Sequence, residues 1–167
     1  HAASYLPMRD YQFSQRAKNR RRLKTSQDAQ AKRRRTHVLH RIRDEGSLSS
    51  RDFIEPRRKH TGWWDWKPAK RALETLYMQG DLMVSKRIGF TKYYDLPERL
   101  VPSDTPISEP KLADLASHLV ETTLDAHGFA ELRTFLRSRN DLELRQGIVD
   151  TLTQRVDRKQ LFQFESN

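Results

Sequence analysis

Six histidines, three tryptophans and an excess of cations are the side chains with chemistry to offer in this 167-residue chain. The histidines are His1, His37, His40, His60, His118 and His127. None stands at a helical metal-binding spacing from a partner of the right kind. His37 and His40 are three apart in a basic stretch, where like charge discourages a cation. There is no cysteine, which removes disulfides, thiolate zinc sites and thiol nucleophiles together. No glycine-rich phosphate loop and no nucleophile elbow occurs. Asp44 and Glu45 read as surface residues at a helix end, and the acidic residues suggest no pair of catalytic carboxylates. The expectation is a chain that uses neither a metal nor a cofactor.

What remains is positive charge, and it is unevenly spread. The chain holds 32 Lys and Arg against 22 Asp and Glu, a net charge of +10. Residues 1–99 carry 24 basic and 11 acidic side chains, whereas residues 100–167 carry 8 and 11. A basic half joined to a mildly acidic half predicts a polyanionic partner for one half only. The densest clusters are Arg20-Arg21-Arg22, Lys32-Arg33-Arg34-Arg35 and Arg57-Arg58-Lys59. Each can neutralise several phosphates and release their counterions. The plain alternatives are a solvated helix face or a nuclear targeting signal. No apolar run approaches the roughly 20 residues that cross a bilayer. Residues 1–15 lack the apolar segment of a secretory signal. A membrane partner is therefore not expected.

The elements that must position these charges follow from periodicity and punctuation. Residues 1–24 read as an irregular, basic lead-in, the end of an upstream module. Thr25 or Ser26 can cap a first helix whose apolar face is Ala31, Val38, Leu39 and Ile42, with Gly46 as its stop. Ser49 or Ser50 can cap a short second helix through Phe53, closed by Pro56. A third helix opens on Pro68 and stops at Gly80. Its inner face is Ala69, Ala72, Leu73, Leu76 and Tyr77, and Lys67, Lys70, Arg71, Glu74 and Met78 fall opposite. Strands are expected over Leu82–Arg87 and Phe90–Leu96, with Ile88-Gly89 as the turn. Ile88 resists the positive φ of a type I′ turn, so another turn type is expected. Helix, short helix, helix, hairpin is the order of a winged helix-turn-helix.

Pro97, Pro102, Pro106 and Pro110 mark a linker, after which the order starts again. A helix started by Ser108 and Pro110 and ended by Gly128, a short helix over Glu131–Arg137 and a third capped by Asn140 or Asp141 lead to a strand at Leu161–Phe164. Leu144, Ile148, Val149, Leu152 and Val156 face inward on the third. Gly46, Arg51 and Phe53 recur as Gly128, Arg133 and Phe135, 82 residues later, a weak repeat. The fold class expected is α+β, mainly α, with tandem winged helix-turn-helix modules. Residues 25–99 form the first module, 100–109 a proline-rich linker and 110–167 a second module with a truncated wing. The outer face of its last helix, with Glu143, Arg145, Asp150 and Asp157, is a poor phosphate surface.

The run Gly62-Trp63-Trp64-Asp65-Trp66-Lys67-Pro68-Ala69-Lys70 concentrates all three tryptophans. The plain reading packs them between helices with their indole N–H groups partnered. The sharper one sets a ring against a DNA sugar or base. On the phosphates, the residues expected to act are Lys67, Lys70 and Arg71, with Arg57, Arg58, Lys59, Arg33, Arg34 and Arg35 in support. Lys86, Arg87 and Lys92 on the wing can reach a minor groove or the backbone.

Four ordered blocks resemble one family. His1-Ala2-Ala3-Ser4-Tyr5-Leu6-Pro7-Met8 is similar to the stretch HEASLLPM of the AlkZ-like interstrand-crosslink DNA glycosylases, also called winged-helix DNA-binding proteins. Gly46-Ser47-Leu48-Ser49-Ser50-Arg51-Asp52-Phe53, the run Gly62–Lys70 and Tyr94-Asp95-Leu96-Pro97-Glu98-Arg99 look like further signatures. The resemblance implies a bacterial enzyme of tandem winged helices followed by a β-barrel. It would remove alkylated purines, including crosslinked N7-alkylguanines, without a metal. The family's catalytic Gln-x-Asp or Gln-x-Gln motif lies upstream of the histidine block, and its barrel would follow Asn167. The chain, which opens on His1, is thus expected to be a middle fragment, inactive alone. His1 is the one residue here that aligns beside the family's active-site region. Gln79-Gly80-Asp81 has the motif's letters, but the family uses an apolar middle residue, and it is rejected.

The chemistry implied fits these parts. N7-alkylation makes guanine a cationic leaving group, so the enzyme must mainly place water and stabilise an oxocarbenium-like sugar. Many glycosylases flip the base. A base tied to the opposite strand cannot swing out freely, so tandem winged helices are expected to bring the catalytic groups to the lesion in the groove. The partner expected is double-stranded DNA, bound largely without sequence preference by a monomer in the cytoplasm, on the nucleoid. The rivals are a non-enzymatic winged-helix transcriptional regulator, which would dimerise and read half-sites, and an architectural DNA-binding module.

Overall fold

The computed structural model describes residues 7–25, 27–53 and 68–164, in two compact units, His1–Ile107 and Ser108–Asn167. In the first, a 3-10 helix over Met8–Ser14 runs into α1, Gln15–Lys24. The expectation of an irregular lead-in thus fails for residues 8–24. Gln, Arg, Ala, Lys and Leu are good helix formers, which favours helix without any apolar stripe. No residue of α1 is buried, so there is no periodicity to read. The helix α2, Ala29–Glu45, is capped by Asp28, whose side chain accepts from the Ala31 N–H at 2.8 Å. Thr25 instead closes α1, and Ser26 lies outside the described residues. Gly46 ends α2 with φ +88, a left-handed conformation that favours glycine.

The chain then forms β1, Leu48–Ser49, followed by a turn rather than the first residues of a helix. The Ser49 backbone N–H and hydroxyl both donate to the Asp52 carboxylate, at 2.7 and 2.8 Å. Those two bonds favour the turn over a helix start, and they draw the Asp52 carboxyl below its usual range. Residues 54–67, with Pro56, His60, all three tryptophans and Lys67, lie outside the described residues.

The helix α3 spans Pro68–Gln79 and stops at Gly80, φ +84, as expected. Ala69, Ala72, Leu73 and Leu76 are buried against Val38 and Ile42 of α2 and against Leu82, Tyr94 and Leu96. Tyr77, expected inside, is 39% exposed, while Gln79 is buried. The reason is α1, whose end meets the last turn of α3: the Gln79 amide donates to the Thr25 hydroxyl. Next come β2, Met83–Ile88, and β3, Thr91–Asp95, in an antiparallel sheet ordered β1-β3-β2. The turn is Gly89-Phe90, because Ile88 pairs with Thr91. Only Gly89 there takes a positive φ, +58, so a β-branched residue is spared that strain. An irregularity between Val84 and Lys86 places Ser85 as an extra residue in β2. A one-turn helix, α4, follows at Pro97–Leu100.

The second unit is helical throughout its described residues: α5, Leu112–His127; α6, Leu132–Leu136; and α7, Leu142–Asp157. Ala116, Val120, Phe135 and Ile148 form its core, with Leu119, Leu144 and Leu152 packed around them. The Asp141 side chain caps α7. Leu161–Phe164, expected as a strand, forms none, and unit 2 offers no strand edge among its described residues for such a segment to pair with. The fold is α+β, mainly α.

Candidate nucleic-acid interface

The outer face of α3 is flanked on both sides by cations from other elements. On α3 itself Lys70 and Arg71 are exposed. On one flank lies α1. The Arg21 guanidinium donates to the Met78 sulfur at 2.9 Å, and Arg22 donates to the Asp81 carboxylate at 2.6 Å and to the Gln79 carbonyl. Between the two helices runs a groove of about 480 Å³ lined by Arg21, Lys24, Arg71, Glu74 and Met78. On the other flank stands the hairpin. Lys92 Nζ lies 5.8 Å from the centre of the Tyr77 ring, which in turn meets the Tyr94 ring edge-on at 6.1 Å.

The hairpin itself is cationic. Arg87 sits directly opposite Lys92 in the ladder, so these two side chains share the sheet face that meets Tyr77. Lys86 projects from the other face, over the Tyr93 ring at 5.1 Å. Alternation along the strand enforces this split.

Pairing separates structural arginines from available ones. Arg41 pairs with Glu45, Arg22 with Asp81, Arg99 with Asp95 and Arg155 with Glu121. Arg99 also donates to the Ile42 and Arg43 carbonyls at 3.0 and 2.6 Å, satisfying the end of α2. Lys24, Arg71, Arg87 and Lys92 have no carboxylate partner among the described residues. All four lie on α1, α3 or the hairpin. Four cations clustered around a single carboxylate of the groove, Glu74, raise the local potential and favour a polyanion.

Of the expected site residues, the structure gathers Lys70, Arg71, Arg87 and Lys92 around α3, with Lys86 on the far face of the hairpin. Arg33, Arg34 and Arg35 stand elsewhere, in the first half of α2, where Arg33 is exposed and the other two are half-buried. His1, Arg57, Arg58, Lys59 and Lys67 lie outside the described residues. Arg21 was expected only as part of a cluster able to neutralise phosphates, not as a named site residue, and Lys24 was not anticipated. The cluster Arg20-Arg21-Arg22 was the available signal, but nothing in the pattern of α1 shows that it docks beside α3.

Gln79-Gly80-Asp81 is occupied structurally, with Gln79 buried on Thr25 and Asp81 paired to Arg22. His40 pairs with Asp44 at 2.7 Å on the surface of α2. No group of metal-ligating side chains occurs among the described residues, and no described helix is long and apolar enough to cross a membrane.

Compared with known families, the chain matches the one described as DNA glycosylase AlkZ-like, across residues 1–165. No solved structure matches it.

Proposed function

The chain belongs to the AlkZ-like family of DNA glycosylases, and from that premise we propose that its first unit is a winged helix-turn-helix that docks on duplex DNA. One observation carries the reading: Lys24, Arg71, Arg87 and Lys92, which have no carboxylate partner among the described residues, flank a single helix face. In this arrangement α3 enters the major groove, and Arg71, Lys70 and Lys24 meet phosphates on its flanks. The hairpin, tied to β1 through β3, is the wing. Lys67, Arg57, Arg58 and Lys59 extend the phosphate contacts from the segment before α3.

A tandem arrangement has its own support. Gly46 and Gly128 end α2 and α5 with positive φ, and Phe53 and Phe135, seven residues on in each case, are buried in their own cores. The weak sequence repeat therefore marks the same two structural jobs. Unit 2 lacks the basic flanks and serves as a packing module.

The substrate proposed is an alkylated purine, an N7-alkylguanine or its crosslink. Its cationic base leaves readily, so contact with the duplex contributes chiefly position. The protein acts as a monomer in the bacterial cytoplasm, on the nucleoid. The test is equilibrium binding to unrelated duplexes of equal length, each with and without N7-methylguanine. The reading expects nearly equal affinity across sequences and tighter binding to the alkylated form. A strong preference for one palindrome would favour a regulator. Indifference to alkylation would favour an architectural module.

A further inference from the structure

Phe90 stands at the tip of the hairpin with 106% relative exposure, so no neighbour shields it, and Ile88 beside it is 59% exposed. Tight turns normally hold Asn, Asp or Gly, whose backbones suit them. Here Gly89 supplies the conformation, with φ +58, and the neighbouring position presents a bare phenyl ring. Leaving such a ring in water forgoes the stabilisation that burial gives. Nothing in the local fold requires it.

The stem below the tip is cationic. Arg87 and Lys92 are directly opposite each other, and Lys86 projects from the reverse face. An apolar point on a cationic stem is complementary to a target that is anionic outside and apolar inside. Duplex DNA is such a target, with phosphates at its rim and stacked bases within. The same sheet face meets Tyr77 of α3, so the hairpin lies beside the helix proposed to enter the groove.

We infer that Phe90 is a wedge that the wing inserts from the minor groove between two stacked base pairs, unstacking and kinking the duplex, while Arg87 and Lys92 hold the flanking phosphates. This rests on the DNA-docking reading above and adds to it a residue that deforms the site. Opening the stack at one step exposes a purine without requiring it to leave the helix. That is the access a base tied to both strands needs.

The experiment uses the full chain and duplexes carrying 2-aminopurine at successive positions. Because Phe90 is fully exposed, Phe90→Ala leaves the fold intact, which a thermal melt checks. The expected result is a rise in 2-aminopurine fluorescence on binding of the unaltered protein. Phe90→Ala loses that rise and binds about tenfold more weakly, with the salt dependence of binding unchanged. Phe90→Leu, still a wedge, keeps most of the signal. If Phe90→Ala binds and brightens 2-aminopurine as the unaltered protein does, the wedge is overturned and the docking reading stands. The same follows if the unaltered protein binds tightly without brightening any position. If the chain prefers polyglutamate to duplex, or shows no salt-dependent duplex binding, the docking reading falls and the wedge falls with it.

Discussion

Arg87 and Lys92 face each other directly across the β2–β3 ladder, two cations where a sheet would gain more from opposite charges. Among the described residues neither has a carboxylate partner. Lys92 leans on the Tyr77 ring instead. Such a pair costs the isolated fold a little, and under the docking proposal a polyanion would offset that cost.

This relationship gives a prediction with opposite signs for stability and function. Arg87→Gln removes the repulsion, so the melting temperature holds or rises, by an amount matching about 0.2–1 kcal/mol. Affinity for duplex DNA falls at the same time. Calorimetry and a binding titration on one preparation check both. A variant that loses stability and keeps affinity would show the pair to be structural.

Two glycines predict opposite outcomes from the same substitution. Gly80 has φ +84, and an added Cβ would lie 2.8 Å from the Lys18 side chain. Gly80→Ala should therefore cost about 1–2 kcal/mol. Gly147, inside α7, has ordinary helical space, with the nearest atom, Ala116 Cβ, at 3.5 Å. Gly147→Ala should stabilise the second unit by about 0.5–1 kcal/mol. Urea midpoints of the two variants measure the contrast.

Within the block Tyr94–Arg99, Arg99 has a structural part, which a variant tests. Its guanidinium bonds the Ile42 and Arg43 carbonyls and the Asp95 carboxylate. Arg99→Ala leaves the end of α2 without these donors and should destabilise the first unit by about 1–3 kcal/mol. Its effect on DNA affinity should be slight while the protein stays folded. Chemical denaturation and binding below the transition separate the two.

Alkaline titration reports on the core. Burial pushes the Tyr94 hydroxyl up to about 12, with the charge of Glu74 adding to the effect. The folded state therefore keeps a proton that the unfolded chain releases near pH 10, the ordinary tyrosine value. Stability contributed by the neutral ring is complete below that pH and is lost as the pH rises towards 12. Tyr94→Phe should flatten this limb of the stability curve. An unchanged limb in the variant would assign the alkaline loss to another group.

Much of this fold was legible in the sequence, for identifiable reasons. Pro68 and Gly80 bracketed α3, and its apolar spacing put Ala69, Ala72, Leu73 and Leu76 inside. The two hairpin strands were placed to within a residue of their ends. The failures share a cause. The helix α1 has no buried face, so only composition spoke for it, and its docking on α3 depends on single long-range contacts such as Arg21 to Met78. Ser49 looked like a helix cap because serine caps helices, but Asp52 folded back on it and a strand edge was available. Leu161–Phe164 had the residue types of a strand and no strand to pair with among the described residues of its unit. Of the candidate interface, the places of Lys70 and Arg71 on α3 and of Arg87 and Lys92 on the hairpin could be read from spacing. That Arg21 and Lys24 join them could not, because spacing does not report tertiary contact.

The central claim is that the α1–α3–hairpin face meets DNA phosphates. The direct measurement is the slope of log affinity against log salt for a nonspecific duplex, compared across Lys24→Ala, Arg71→Ala and Arg158→Ala. The account predicts that Lys24→Ala and Arg71→Ala each lower the slope by about 1. Arg158→Ala, at the end of α7 in the other unit, should leave it unchanged. Equal slopes for all three variants and the unaltered chain would contradict the account.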